Sequence, residues 1–353
     1  MRILYGVVGE GMGHATRSGV ILEHLTKQHD VHVVVSGRAR DYLAQRFENV
    51  HKIWGLTIRY EGNSVRKFGT LLENLKGAVK GFPENIRAYF ELVDEFRPDL
   101  VVSDFESFSY LYAKNHMLPV ISVDNMQVIN RCKHAPELLA GHEGEFELTR
   151  NIVKTKLPGC SHYLVATFFY PELRKDRTTL LPSILRPEIL KAKPEPGEHL
   201  LVYQTSTTNT ELLAALKKLG LPCRVYGVRR GIQSDEVEQN LTFRPFSEAG
   251  FIDDLRSARA VVAGGGYTLM SEAVYLGKPL LSLPVQGQFE QTLNALYLQQ
   301  LGYGRHAEAL DERTLQAFLA EVPRCSEALK GYSQDGNSAM LRALDERIAA
   351  ATA

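Results

Sequence analysis

Apolar residues along this chain fall into short unbroken runs, separated by longer stretches where they recur every three or four positions. Arg2–Val8, Val31–Ser36, Leu100–Ser103, Val120–Val123 and Tyr163–Ala166 are runs of the first kind and predict strands. Phe68–Phe96 predicts two helices broken near Gly81-Phe82-Pro83. Continuous apolar strands alternating with helices indicate a parallel sheet covered on both faces.

The period is lost over residues 180–199, where "LLPSILRPEILKAKPEPGEH" carries four prolines. It then restarts, with predicted strands at His199–Gln204, Arg224–Gly227, Leu241–Phe243, Ala260–Ala263 and Leu280–Leu283. Helices are expected near Glu211–Leu219, Thr268–Leu276, Phe289–Leu301 and Ser338–Ala350. The expected organisation is a first α/β domain over 1–180, a linker over 181–198 and a second over 199–353, with the last helix able to pack back on the first domain. Open parallel sheets take ligands at the carboxyl ends of their strands, so two of them imply a cleft with a ligand on each side.

Composition changes this picture little. The 353 residues are 44% hydrophobic and 23% charged with zero formal charge, which gives no global sign of a nucleic-acid partner. Cys132, Cys160, Cys223 and Cys325 are far apart, so no zinc motif or disulfide framework is expected and a reducing compartment fits. A first strand beginning at residue 2 and the lack of a long apolar run lead us to expect a cytoplasmic protein. Lys67, Lys76, Lys80 and Arg87, with Phe68, Leu71, Leu72 and Phe82 nearby, form either a solvated helix face or a surface for peripheral contact with anionic lipid at the inner membrane face.

Two glycine-rich loops carry the candidate chemistry. "GEGMGHATR", residues 9–17, follows the first strand, but its third fingerprint position is His14 and no acid follows the second strand. Arg38 and Arg40 keep an NADP loop open, beside a bare glycine turn and a loop that presents His14 as a general base. Asp104, at the end of another strand in "LVVSDFES", could orient that histidine. The "DFE" of 104–106 superficially matches a metal-binding acid pair, as does Asp253-Asp254, although adjacent acids opening a helix suit its dipole better.

In the second half, Gly264, Gly265 and Gly266 stand between a strand and a helix, which is an anion site that a diphosphate fits. Glu272, about one turn on, could reach a ribose, and Glu290 with Gln291 could grip sugar hydroxyls. This stretch, with Thr268, Gly277, Pro279 and Asn294-Ala295, resembles the nucleotide-sugar signature of GT-B glycosyltransferases. It is similar both to UDP-glycosyltransferases and to the bacterial lipid-linked N-acetylglucosaminyltransferase of cell-wall synthesis. The whole chain resembles a bacterial and archaeal GT-B group with a "GxGxGHxTR" opening.

The resemblance implies an α/β GT-B fold of two Rossmann-like parallel-sheet domains facing across a cleft. A UDP-sugar would sit in the second domain and an acceptor hydroxyl, on a lipid, a glycan or a small molecule, in the first. Transfer would be inverting and metal-independent, with no cofactor because the nucleotide sugar is a substrate. His14 would be the base and Asp104 its orienting acid, with Gly11, Gly13, Arg17 and Glu106 lining the acceptor side. Gly264–Gly266 and Thr268 would hold the diphosphate, Glu272 the ribose, and Glu290 and Gln291 the sugar, with Phe243 and Phe246 beside the base. Two positions depart from the pattern: Gly264 replaces a histidine that often contacts phosphate, and Glu290 replaces an aspartate. A nucleotide-sugar 2-epimerase on this fold would need carboxylates beside the anomeric carbon, and a non-catalytic binding protein would need Glu272 but not His14.

Overall fold

The computed structural model describes residues 1–9, 11–55, 60–61, 64–65, 83, 85–204, 210–229 and 231–351. They form two compact units, one of Met1–Arg59, Arg66–Arg186 and Asp335–Ala353, the other of Tyr60–Val65 and Pro187–Gln334. Most of the first expected helix pair, and the lysines of the expected lipid-facing surface, lie outside the described residues.

The first unit is a seven-stranded parallel sheet of β1 (Arg2–Val7), β2 (Asp30–Val35), β3 (Val50–Lys52), β6 (Leu100–Asp104), β7 (Val120–Asp124), β8 (His162–Thr167) and β9 (Thr178–Pro182). β4 (Tyr60–Glu61) and β5 (Ser64–Val65) make a separate antiparallel ladder. The spatial order of the large sheet is β3-β2-β1-β6-β7-β8-β9. The chain runs outward from β1 through β2 to β3, then returns to add β6 on the other side of β1. Strand direction of growth therefore reverses between β1 and β6, and Val7 pairs with Asp104 at the carboxyl end of that junction. Such a switch point leaves an open crevice outside the strand ends. The central strands are buried on both faces because Ile3, Leu4, Val33, Val101, Val102 and Ile121 point into helix layers on one side or the other.

The second unit repeats the plan with β10 (Leu200–Tyr203), β11 (Cys223–Tyr226), β12 (Glu236–Glu238), β13 (Leu241–Phe243), β14 (Ala260–Ala263), β15 (Leu280–Ser282) and β16 (Gly304–His306). Its order is β12-β13-β11-β10-β14-β15-β16, parallel except for the β12–β13 pair. Its switch point lies between β10 and β14. Leu200, Val202, Val225, Val262 and Leu281 pack beneath Leu212, Leu216, Leu315 and Phe318 of the covering helices as one buried core.

The change from first to second unit falls between Arg186 and Pro187. The proline-rich stretch is not featureless there: it ends β9 and carries the short helix Pro187–Lys191. The helix Ser338–Ala351 belongs to the first unit, packing on β8 and β9. It is fastened by His24, whose Nε2 lies 2.9 Å from Asp345, and by Asn337, whose side chain accepts from Leu185 N–H (2.9 Å) and donates to Leu185 C=O (2.8 Å). No helix among the described residues is long and apolar enough to cross a membrane.

Candidate active site

The helix Met12–Leu25 starts at Gly11, whose φ of 84° turns the chain sharply off β1. Gly9, just before, runs so close to the end of β2 that any side chain would overlap the Ser36 carbonyl. Those two glycines let the loop fold down and set His14 in the first turn of the helix. The first turn has no capping side chain and no acid, so its amides are not satisfied by the usual local acceptors.

His14 Nδ1 lies 2.9 Å from Asp104 Oδ1 across the β1/β6 junction. Asp104 is fully buried, and the same Oδ1 accepts from Arg17 Nη2 at 2.6 Å while Oδ2 accepts from Ser18 Oγ at 3.0 Å. Burial works against its ionisation, but the charges of Arg17 and His14 outweigh it and hold the carboxyl down at about 2. Arg17 Nη1 donates to Asn125 Oδ1 at 3.0 Å, just beyond the end of β7. Arg17, expected to face an acceptor, is 3% exposed and turns inward to Asp104 and Asn125. His14, Arg17 and Ser18 stand at i, i+3 and i+4, a spacing that places them on one helix face and that could have grouped them from sequence. Asn125 was not anticipated; its signal is the strand "VISVDN" ending on the same sheet edge.

Phe105 has a φ of 55°, rare for a bulky residue, and this reverses the chain between two acids. Asp104 then points to the helix Met12–Leu25, whereas Glu106 caps the next helix, Ser107–Asn115. Glu106 accepts from Phe108 N–H and Ser109 N–H, each at 2.7 Å, and burial pushes its carboxyl up. Glu106 is thus a helix cap rather than an acceptor contact, and the "DFE" acids do not converge on a metal. Among the described residues no cluster of three or more His, Cys, Asp or Glu side chains could hold one.

In the second unit, Gly264–Gly266 link β14 to the helix Tyr267–Tyr275. Gly266 caps that helix, again with no side-chain cap and no acid in the first turn, and both Gly266 and the partly exposed Thr268 reach the surface. The arrangement turns the positive end of a helix dipole, with no side-chain cap and no first-turn acid, toward an anion. Glu272 lies one turn further and is 2% exposed.

Glu290 and Gln291 lie in the first turn of the helix Phe289–Gln300, Glu290 turned to Asn294 of the same helix and Gln291 to the loops after β14 and β15. Gln291 Oε1 accepts from Gly265 N–H and Val285 N–H, both at 3.1 Å, and its Nε2 donates to Gln288. Asn294 donates to Glu290 Oε1 (2.7 Å) and to Gly265 C=O (3.3 Å). Of the two aromatic residues expected beside the base, Phe243 is in the core with Arg229 3.8 Å over its ring, while Phe246 is 71% exposed. Asp253-Asp254 do not open a helix: Ser247 caps it, and the pair lies in the second turn of Glu248–Arg256. There the buried Asp254 is held by Arg224, Arg244 and Tyr226.

Comparison with known proteins places these sites in context. A model of glycosyl transferase family 1 matches residues 1–323. An uncharacterised glycosyltransferase of Methanosarcina mazei is 26% identical over 338 residues, covering 86% of this chain and 85% of the relative. Among solved structures, a UDP-glucosyltransferase from Polygonum tinctorium superposes with a TM-score of 0.67 at 15% identity, over 100% of this chain and 98% of that one. The calicheamicin glycosyltransferase CalG4 gives 0.66 at 16% identity, over 99% and 97%. At such identities these structures share the fold.

Proposed function

We propose that this chain, which belongs to glycosyl transferase family 1 and has the GT-B fold, transfers the sugar of a UDP-sugar to an acceptor hydroxyl with inversion. The observation that carries the reading is the His14–Asp104 contact of 2.9 Å at the β1/β6 switch point. His14 takes the proton of the acceptor hydroxyl as its oxygen attacks the anomeric carbon. A carbon–oxygen bond forms there while the bond to the diphosphate breaks, and that electron pair leaves with UDP. Asp104, held ionised, orients the ring and stabilises the imidazolium as it forms.

The start of the helix Tyr267–Tyr275, which has no side-chain cap and no first-turn acid, supports a diphosphate site where the helix dipole stabilises the charge that grows on the leaving group. Glu272 is assigned to the ribose, Glu290 to the sugar, and the exposed Phe246 to one face of the base. Gln291 acts on the sugar only through the loops it ties. Amides and a helix dipole need no metal, so chelation should leave turnover intact.

A panel of UDP-sugars, assayed for free UDP, epimerised sugar and binding without turnover, tests the reading. Release of UDP with a new glycoside of inverted configuration is expected and should persist in EDTA. Epimerised sugar, or tight binding with no turnover after His14→Ala and in the parent alike, would replace it with an epimerase or a binding protein.

A further inference from the structure

His14 can serve as a base at Nε2 only if its neutral ring carries the proton on Nδ1. Which nitrogen holds it is decided by what faces Nδ1. Among the described residues two groups do: Asp104 Oδ1 at 2.9 Å and Arg17 Nη2 at 2.8 Å. The first favours a proton on Nδ1 and the second opposes it. Oδ1 and Nη2 are themselves 2.6 Å apart, so the three atoms form a nearly equilateral triangle.

That triangle settles the competition. The hydrogens of one guanidinium nitrogen are set at about 120°, because the group is planar. The angle that Oδ1 and Nδ1 subtend at Nη2 is far narrower, so Nη2 cannot bond well to both. The shorter contact joins opposite charges, and charge-assisted bonds are the stronger kind, so Nη2–H goes to Oδ1. A bare Nδ1 lone pair would then face an ionised oxygen at 2.9 Å, one acceptor against another. A proton on Nδ1 turns the same distance into a hydrogen bond.

We propose that Arg17 is a positioning residue that, by pinning Asp104, fixes His14 as the Nδ1–H tautomer and leaves Nε2 to accept a proton. The proposal rests on the reading of His14 as base for its consequence, but not for the tautomer itself. Asn125 holds the other arm of the fork at 3.0 Å, so the guanidinium has one orientation. Every other group facing Asp104 is compatible with this role. Ser18, from the same helix, donates to Oδ2. Tyr5, from β1, is driven by burial and by the Asp104 charge to stay a neutral phenol. Asp124, at the end of β7, has its carboxyl pushed up by burial and is engaged by Ser122 and Gln127 N–H. Arg17 is the fixed cation that keeps Asp104 an acceptor.

The test is nitrogen NMR of the imidazoles in the intact chain, where couplings to the ring protons separate the two tautomers. The His14 signal is identified by its loss in His14→Gln. Wild type should show Nδ1–H at neutral pH, and an Nε2–H signal there would overturn the proposal without any variant. Arg17→Gln should shift the population toward Nε2–H and cut release of UDP from the panel donor by ~10²-fold, with KM for the donor unchanged. Arg17→Lys, which keeps the charge, should restore much of the Nδ1–H signal. A fall in turnover with the wild-type tautomer retained would also overturn the proposal. A shifted tautomer with full turnover would leave the Arg17 link standing and remove His14 as the base.

Discussion

Gln291 Oε1 and the Gly265 backbone nitrogen are 3.1 Å apart, and a side-chain carbon added to Gly265 would come within 2.5 Å of Gln291 Cβ. The residue expected to grip the sugar is instead packed against the glycine loop. Because the same oxygen accepts from Val285 N–H, one amide holds together the loops that follow β14 and β15. The glycine at 265 is required by this close approach.

Truncating the clamp should therefore be read first in stability. Gln291→Ala leaves two loop N–H groups without their acceptor, at a cost of about 1–3 kcal/mol each if water does not replace it. Gly265→Ala should be destabilising by about 1–3 kcal/mol through overpacking. Urea unfolding of both variants checks this. If Gln291→Ala is as stable as the parent yet changes which epimeric UDP-sugar is used, the side chain contacts sugar directly and the clamp is secondary.

A second prediction concerns acid. The Asp104 carboxyl titrates near 3.9 in an unfolded chain and at about 2 in the folded one, so ionised Asp104 favours the native state. Its contribution, about 2 kcal/mol, is complete above roughly pH 4 and is lost as pH falls toward 2. Asp104→Asn should remove this part of the slope. Comparing unfolding free energies of the two proteins from pH 5 to 2.5 measures it, and parallel curves would contradict the role of Arg17 and His14 in holding the charge.

The strands legible in the sequence and those that were not differ in one physical respect. β1, β6, β10 and β14 are central, buried on both faces, and read as unbroken apolar runs. Within the two seven-stranded sheets, the strands without a sequence signal are β3, β9, β12 and β16, which are their four edges. There His51 and Lys52, Thr178 and Thr179, Glu236 and Glu238, and Arg305 and His306 replace the apolar run, as an edge facing solvent allows. Site positions followed the same logic. His14 and Asp104 could be placed because each terminates a legible central strand or opens the helix after it. The directions of Arg17 and Gln291 could not, since each turns toward a partner fixed only by tertiary packing, Asp104 and the Gly265 loop. Glu106 bonds locally to Phe108 and Ser109 N–H, after a chain reversal at Phe105 that no residue type signals.

The donor site gives a third prediction. Glu272 is almost fully enclosed and lies one turn from the open helix start at Gly266, so its carboxylate can serve a ligand bound there only at short range. Glu272→Ala should weaken UDP binding by ~1.5–3 kcal/mol, the size of a lost charge-assisted hydrogen bond. Titration calorimetry with UDP reads this directly. Unchanged affinity in a folded variant would take the ribose away from Glu272.

The fourth prediction separates catalysis from folding at the first site. His14→Ala should lower turnover by ~10²–10⁴-fold with UDP affinity almost unaltered, because the nucleotide is assigned to the second unit. Asp104→Asn should lower turnover too, but it also removes the carboxylate that faces the buried Arg17. Breaking a buried ion pair costs about 3–5 kcal/mol, so its activity has to be measured per folded molecule. On that basis the two losses should not add, since both act through one proton transfer, and the double variant should resemble His14→Ala alone. A double variant that loses the full product of the single effects would mean that Asp104 acts on the reaction independently of His14. A fully active His14→Ala protein would leave the proton to some other group. Neither nearby acid is suited to that, because Asp104 is held ionised and buried and Glu106 is occupied by two backbone N–H groups.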